Sequence, residues 1–228
     1  MTFRKEEAMN KVMLDFENMA NLVLTQLDYL ENFFQSGGIE LPEQTENEIK
    51  ENEELIDKLE VKISERIINT IVLYQPVASD IRKLMSCYRI IINLERIGDY
   101  AVNLVNYLKK IKSQEVYDQS SETISNMFIA ANTMVKKSLL SFTQQDREFA
   151  IWTLKNDSVV DEMNSKMLKS LVSKSKEFDD KKKAVISYIT IKEMVDNIER
   201  VADHATNIAE ASIYFLEGKD IRHLSIPE

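Results

Sequence analysis

The sequence predicts an all-α protein: six helices forming a tandem, pseudo-symmetric repeat of two antiparallel three-helix bundles. Composition is the first observation behind this. Only 4 Gly and 3 Pro occur in 228 residues, among runs of Leu, Ile, Met, Glu, Lys and Ala that favour helix. The second is periodicity, with apolar residues recurring at three- and four-residue steps over long segments. The third is an internal echo. Asn93-Leu94-Glu95-Arg96-Ile97-Gly98-Asp99-Tyr100-Ala101-Val102-Asn103-Leu104 returns as Asn197-Ile198-Glu199-Arg200-Val201-Ala202-Asp203-His204-Ala205-Thr206-Asn207-Ile208, with six of twelve positions identical.

Each element has its own signals. A first helix is expected from about Thr2 to Gln35, with Val12, Phe16, Met19, Val23, Leu27, Leu30 and Phe34 as its apolar stripe. Ser36-Gly37-Gly38 ends it, because glycine accepts the left-handed geometry that closes a helix. A second helix, from about Thr45 to Tyr74, buries Ile56, Leu59, Ile63, Ile67 and Thr70. Gln75-Pro76 breaks it, and Pro76 opens a third helix to about Ile111 with Leu84, Tyr88, Ile91, Gly98, Val102, Val105 and Leu108 inward. A fourth covers roughly Asp118 to Phe142, burying Ile124, Met127, Phe128, Ala131, Val135 and Leu139. Asp146 caps the fifth, which runs to about Ser175 and buries Leu154, Val160, Met167 and Leu171. A polar joint at Glu177-Phe178-Asp179-Asp180-Lys181 precedes the sixth, from about Lys182 to Leu216, which stops at Gly218. The two repeats are placed at 1–113 and 114–228.

Register ties the halves together. Adding 104 to Glu95, Asp99 and Asn103 gives Glu199, Asp203 and Asn207, and adding 104 to Glu53 and Asp57 gives Asp157 and Asp161. Each half therefore carries two acid-x-x-x-Asp pairs, spaced 42 residues apart, on equivalent helices. An ordinary charged helix face is the plain reading of one such pair. Four in register weaken it, since like charges at i and i+4 cost a helix about 0.2–0.5 kcal/mol per pair and a surface helix would put Lys or Arg at i+4. Glu95 also borders the buried stripe, where an uncompensated carboxylate costs more. If the second and third helices pack antiparallel, Glu53 and Asp57 face Glu95 and Asp99, with no basic residue among them. Converging carboxylates favour a divalent metal, magnesium, manganese, iron or zinc, and bridging makes a multinuclear site feasible. Asn103 and Asn207 stand at the site edge as amide oxygens or as helix–helix hydrogen bonders. Arg96 and Arg200, about 100° round the helix from the preceding Glu, read as ion-pair residues.

Several function classes fall away. A net charge of -9 opposes general nucleic-acid binding, which needs a Lys/Arg surplus. A di-iron redox site needs two Glu-x-x-His motifs, and neither His204 nor His223 has Glu three residues before it. No nucleophile with a base, phosphate-cradling loop or His-Glu-x-x-His helix is present, so no enzyme is expected. The lone Cys87 cannot form an intrachain disulfide, no amino-terminal apolar stretch resembles a signal peptide, and no run reaches the ~20 apolar residues that span a bilayer. The reading is a cytoplasmic protein whose contact with any membrane is peripheral.

Gln75-Pro76-Val77-Ala78-Ser79-Asp80-Ile81-Arg82, the Asn93–Asp99 motif, its copy through Glu210 and Gly218-Lys219-Asp220-Ile221-Arg222-His223 resemble the PhoU family of phosphate-uptake regulators, over nearly the whole chain. The resemblance implies a metal-binding regulator made of tandem three-helix bundles. It implies metal ligands at Glu53, Asp57, Glu95, Asp99, Asp157, Asp161, Glu199 and Asp203. Position 53 departs from the pattern, because the family more often has Asp there. It further implies a cytoplasmic negative regulator of phosphate-starvation signalling that self-associates, often as a dimer, and links the ATPase subunit of a phosphate ABC transporter to a sensor histidine kinase. Two alternatives stay open: an accessory protein of a sodium-phosphate symporter, and a metal-free helical scaffold.

Overall fold

The computed structural model describes residues 2–174 and 181–222. The polar joint at 177–180, the Leu171 side chain and His223 lie outside the described residues. The six helices are α1 (Thr2–Gln35), α2 (Glu43–Tyr74), α3 (Ala78–Leu108), α4 (Gln114–Thr143), α5 (Arg147–Lys174) and α6 (Lys181–Glu217).

The ends follow local chemistry. Gly37, at φ 70°, closes α1, and Gly218, also at φ 70°, closes α6. Pro42 is the N-cap of α2, so that helix begins two residues earlier than expected. Pro76 lies just outside α3, which starts at Ala78 with Val77 as N-cap. Asp146 accepts a 2.8 Å hydrogen bond from the Glu148 amide and so caps α5. Gln75 ends α2 with φ 45° and ψ 59°, a left-handed geometry that disfavours any side chain. Gln75→Gly is expected to raise stability by about 0.5 kcal/mol, relief of this strain outweighing the added freedom of the unfolded chain. Denaturant melting checks this, and a lowered midpoint would show that the glutamine side chain matters more than its backbone.

Within each half the helices run antiparallel and pack on their neighbours, α1 on α2 and α3, α5 on α4 and α6. Buried Gln26 of α1 donates to the Ile49 carbonyl of α2 at 2.7 Å, and Asp15 of α1 meets Lys62 and Arg66 of α2 at 3.0 and 2.6 Å. On α3, Gly98 admits Ile56 of α2 so closely that a Cβ there would lie 3.3 Å from the Ile56 Cδ1. The halves join along two seams, α3 against α6 and α1 against α4. Phe16 packs on Phe142 with centroids 5.2 Å apart, and Phe34 on Phe128 at 5.1 Å, so one apolar core runs through both halves.

Residues related by the 104-residue register meet across these seams. Tyr100 stacks on His204 at 5.6 Å, and Asn132 donates to its counterpart Asp28 at 3.1 Å. The linker after α3 is held by the Ser187 hydroxyl of α6, which accepts from the amides of Lys112 and Ser113 at 2.9 Å each.

The stripe expected for α3 is incomplete. Tyr88 and Val102 are half-buried, whereas Cys87, Ile90, Leu94, Ile97, Ala101 and Leu104 are buried. This helix touches α1, α2 and α6, so it is covered on more than one side. Leu59 of α2 is likewise half-buried. Burial pushes the Cys87 thiol up to about 12, which leaves it protonated and unreactive.

Candidate metal centre

The eight predicted carboxylates sit on the facing helices of each half, Glu53 and Asp57 on α2, Glu95 and Asp99 on α3, Asp157 and Asp161 on α5, Glu199 and Asp203 on α6. Antiparallel packing sets each pair against its partner pair. Glu53, Glu95, Asp99 and Asp157 are half-buried, and Asp57, Asp161 and Asp203 are exposed, so each site lies at the rim of its helix interface. Glu199 is half-buried as well.

The charges feel one another across the interface. Burial raises the Glu53 carboxyl above its ordinary value, with help from Asp57 and from Asp99 on the neighbouring helix. Burial also raises Glu95, aided by Asp99 and, across the interface, Asp57 and Glu60, with Arg96 opposing. In the second half burial raises Asp157 against the hydrogen bond from Thr206. Asp203 is pushed up to about 6, by burial first and then by Asp157, Glu199 and Asp161, with Arg200 opposing. In each half two carboxyls are thus raised by burial and by neighbouring acids, the electrostatic setting in which a cation is stabilising.

Their donor chemistry fits a hard or borderline divalent ion. Among the described residues, no three Asp, Glu, His or Cys side chains are placed closely enough to ligate one ion as they stand. A metal held there would need these rim side chains to come closer together.

Three residues differ from expectation. Arg96 makes the ion pairs expected of it, but among the carboxylates themselves: its guanidinium lies 3.4 Å from both Glu95 and Asp99, the positions i−1 and i+3 that a long side chain reaches. The first site therefore contains a basic residue. Asn164 on α5 is buried and donates to Glu199, while its Oδ1 has no partner. Thr206 on α6 donates to Asp157 at 3.1 Å. Neither stood out as acidic, and the signal that finds them is the register, which pairs Asn164 with Glu60 and Thr206 with Val102.

Asn103 is half-buried and Asn207 exposed. His204 packs between the halves and holds Asn93 through Nδ1 at 2.8 Å. Burial, with Arg96 nearby, pulls it down to about 4, so it is neutral at physiological pH.

Asp203 makes stability depend on pH when no metal is present. Its folded value of about 6 exceeds the ordinary 3.8, so its ionisation opposes folding. The cost is absent below pH ~4, grows up to about 6 and is complete above that. Asp203→Asn is expected to exceed the parent in stability at pH 7.5 and to match it at pH 4, both in chelator. Equal midpoints at both pH values would show that the carboxyl is not destabilised by its neighbours.

Comparison with known proteins returns one consistent answer. A family model for the PhoU domain matches residues 16–108 and again 124–212. A phosphate-specific transport system accessory protein PhoU homolog from Aquifex aeolicus is 34% identical over 92% of this chain and 91% of its own. One of the same description from Burkholderia sp is 30% identical over 81% of this chain and 78% of its own. The crystal structure of PhoU from Pseudomonas aeruginosa superposes with a TM-score of 0.80 at 26% identity, covering 94% of this chain and 99% of that one.

Proposed function

Because the chain belongs to the PhoU family of phosphate-transport accessory regulators, which are not enzymes, we propose that it is a metal-binding adaptor between phosphate uptake and phosphate-starvation signalling. In this reading it is a cytoplasmic negative regulator that contacts the ATPase subunit of a phosphate ABC transporter and a sensor histidine kinase, and it self-associates. The observation that carries the metal assignment is the placement of four acidic pairs, two per half, on neighbouring helices at equivalent interfaces. A bound divalent cation would neutralise these carboxylates. The helices themselves supply the rest: α2 with α3, and α5 with α6, hold each acidic set at a rim open to solvent, and the shared core keeps the two rims in fixed relation.

Two further observations support an adaptor. No helix among the described residues is long and apolar enough to cross a membrane, so contact with a transporter passes through its exposed faces. At the turn between α2 and α3, Val72, Leu73 and Val77 are each about two-thirds exposed, at 67%, 64% and 65%. Exposed apolar groups grouped at one end of a bundle suit a protein partner. The test is capture of the tagged protein from phosphate-replete cells. Recovery of the kinase and the transporter ATPase is expected, recovery of a sodium-phosphate symporter would replace the proposed partners, and recovery of none of them would count against the adaptor role.

A further inference from the structure

One face of the α2–α3 hairpin is apolar and, among the described residues, uncovered. Ile56 of α2 sits against Gly98 of α3, which fixes the level of these antiparallel helices. Five residues on from Ile56 is Val61, and six back from Gly98 is Ile92. A step of seven along each helix then reaches Ile68 and Met85, and a step of four reaches Val72 and Ile81. Such steps return to the same face of a helix, so the side chains form three rungs: Val61 with Ile92, Ile68 with Met85, and Val72 with Ile81. Val61, Ile68 and Val72 are each more than half exposed, and Ile81, Met85 and Ile92 each more than a third. The inward side of α2, with Ile56, Ile63, Ile67 and Thr70, lies across the helix axis from these rungs.

The same step of seven in the other direction leads from Val61 to Glu54 and from Ile92 to Asp99. The fourth rung is therefore acidic, and Asp57 and Glu65 share its face of α2. Lys58 and Arg96 stand further round their helices, Lys58 at 3.7 Å from Glu54 and Arg96 at 3.4 Å from Asp99. The second half does not repeat this face. Val185 and Ile189 stand for Ile81 and Met85 and are exposed, but Val61 and Ile92 become Ser165 and Asp196.

We infer that the three apolar rungs and the acidic rung beyond them dock an amphipathic helix of a protein partner, with apolar residues at steps of four and seven and Lys or Arg one further heptad along. This rests on the adaptor reading above and gives it a docking face. The apolar rungs span about 16 Å, three turns of helix. Laying the apolar stripe of another helix along the groove between α2 and α3 removes that band from water. Charge selects the occupant and its direction, since a basic end is attracted to the acidic rung and an acidic helix is repelled. A second copy of this chain brings the same acids to the face and no base to meet them. Glu54 and Glu65 lie outside the proposed metal ligands, so the face stays acidic when a cation is held.

Fluorescence anisotropy with synthetic peptides tests this on the whole chain. The probe is an alanine-rich helical peptide of about 18 residues with leucines at steps of four and seven and arginines at the end beyond the longer step. Replacing its arginines with glutamates, or its leucines with serines, is expected to weaken binding about tenfold or more. Ile68→Lys and, separately, Met85→Lys should weaken the cationic peptide to a similar degree. Ile189→Lys, at the equivalent place in the second half, should leave it unchanged, with circular dichroism confirming the helices. No binding of the cationic peptide, equal binding of the acidic one, or indifference to both lysine substitutions would overturn the proposal. Sedimentation velocity addresses the other occupant: a dimer of the unaltered chain that Ile68→Lys dissociates would assign the face to a second copy and overturn it as well. Failure of the adaptor reading shows separately. Equal capture of the kinase and the transporter ATPase from cells by the unaltered chain and by Ile68→Lys would keep the adaptor and overturn this docking face, whereas capture of neither by the unaltered chain would overturn the adaptor itself.

Discussion

Divalent metal is expected to raise the stability of the unaltered chain, and Glu95→Gln, Asp99→Asn, Glu199→Gln and Asp203→Asn together are expected to abolish that rise. Ligand binding to the folded state alone adds about 2.7 kcal/mol at a free concentration one hundred times the dissociation constant. The combined variant is expected to lose that gain because each substitution replaces a charged carboxylate of the proposed site with a neutral amide of the same shape. In chelator the order reverses. The variant no longer ionises Glu95 and Asp203 against their neighbours, so it melts at or above the parent temperature. Thermal melts with and without magnesium, manganese, iron and zinc make the comparison. If parent and variant respond alike to every metal, the chain is a metal-free scaffold.

The largest loss of stability is expected at Phe142. This ring is 1% exposed and sits where three helices meet, against Phe16 of α1 at 5.2 Å and Phe215 of α6 at 5.5 Å. Truncating a buried phenylalanine costs about 3–5 kcal/mol, because transfer energy is lost and the cavity closes only partly. Phe142→Ala should fall in that range by denaturant unfolding. Since its contacts span both halves, the loss should appear as one cooperative transition moved to lower denaturant. A cost below about 1 kcal/mol would mean that the seam is not packed as described.

Much of this was legible in the residues. The six helices, the ends of α1 and the placement of the acidic pairs on equivalent neighbouring helices followed from glycine placement, period and register. The rest was hidden for physical reasons. A single apolar stripe describes a helix covered on one side, so it missed Leu94 and Leu104 on α3, which is covered by three neighbours. The reach of Arg96 back to Glu95 depends on rotamer, which spacing does not fix. Asn164 and Thr206 carry no charge to draw the eye, although the same offset that aligned the acids also pointed to them. His204 packs against Tyr100 at the seam, a contact between halves that spacing along the chain does not place.

That seam has a consequence for how the molecule is built. Tyr100 touches its own counterpart His204, and Asp28 touches its own counterpart Asn132. Contact between equivalent positions is what an isologous, twofold-related interface produces. The chain therefore has the geometry of a homodimer fused end to end through the short linker at 109–113, whose amides Ser187 holds in place. Fusion replaces a concentration-dependent association with an intramolecular one of high effective concentration. It also frees each half to diverge. Glu60 and Asn164, identical by necessity in a true homodimer, can differ only because one polypeptide now encodes both subunits.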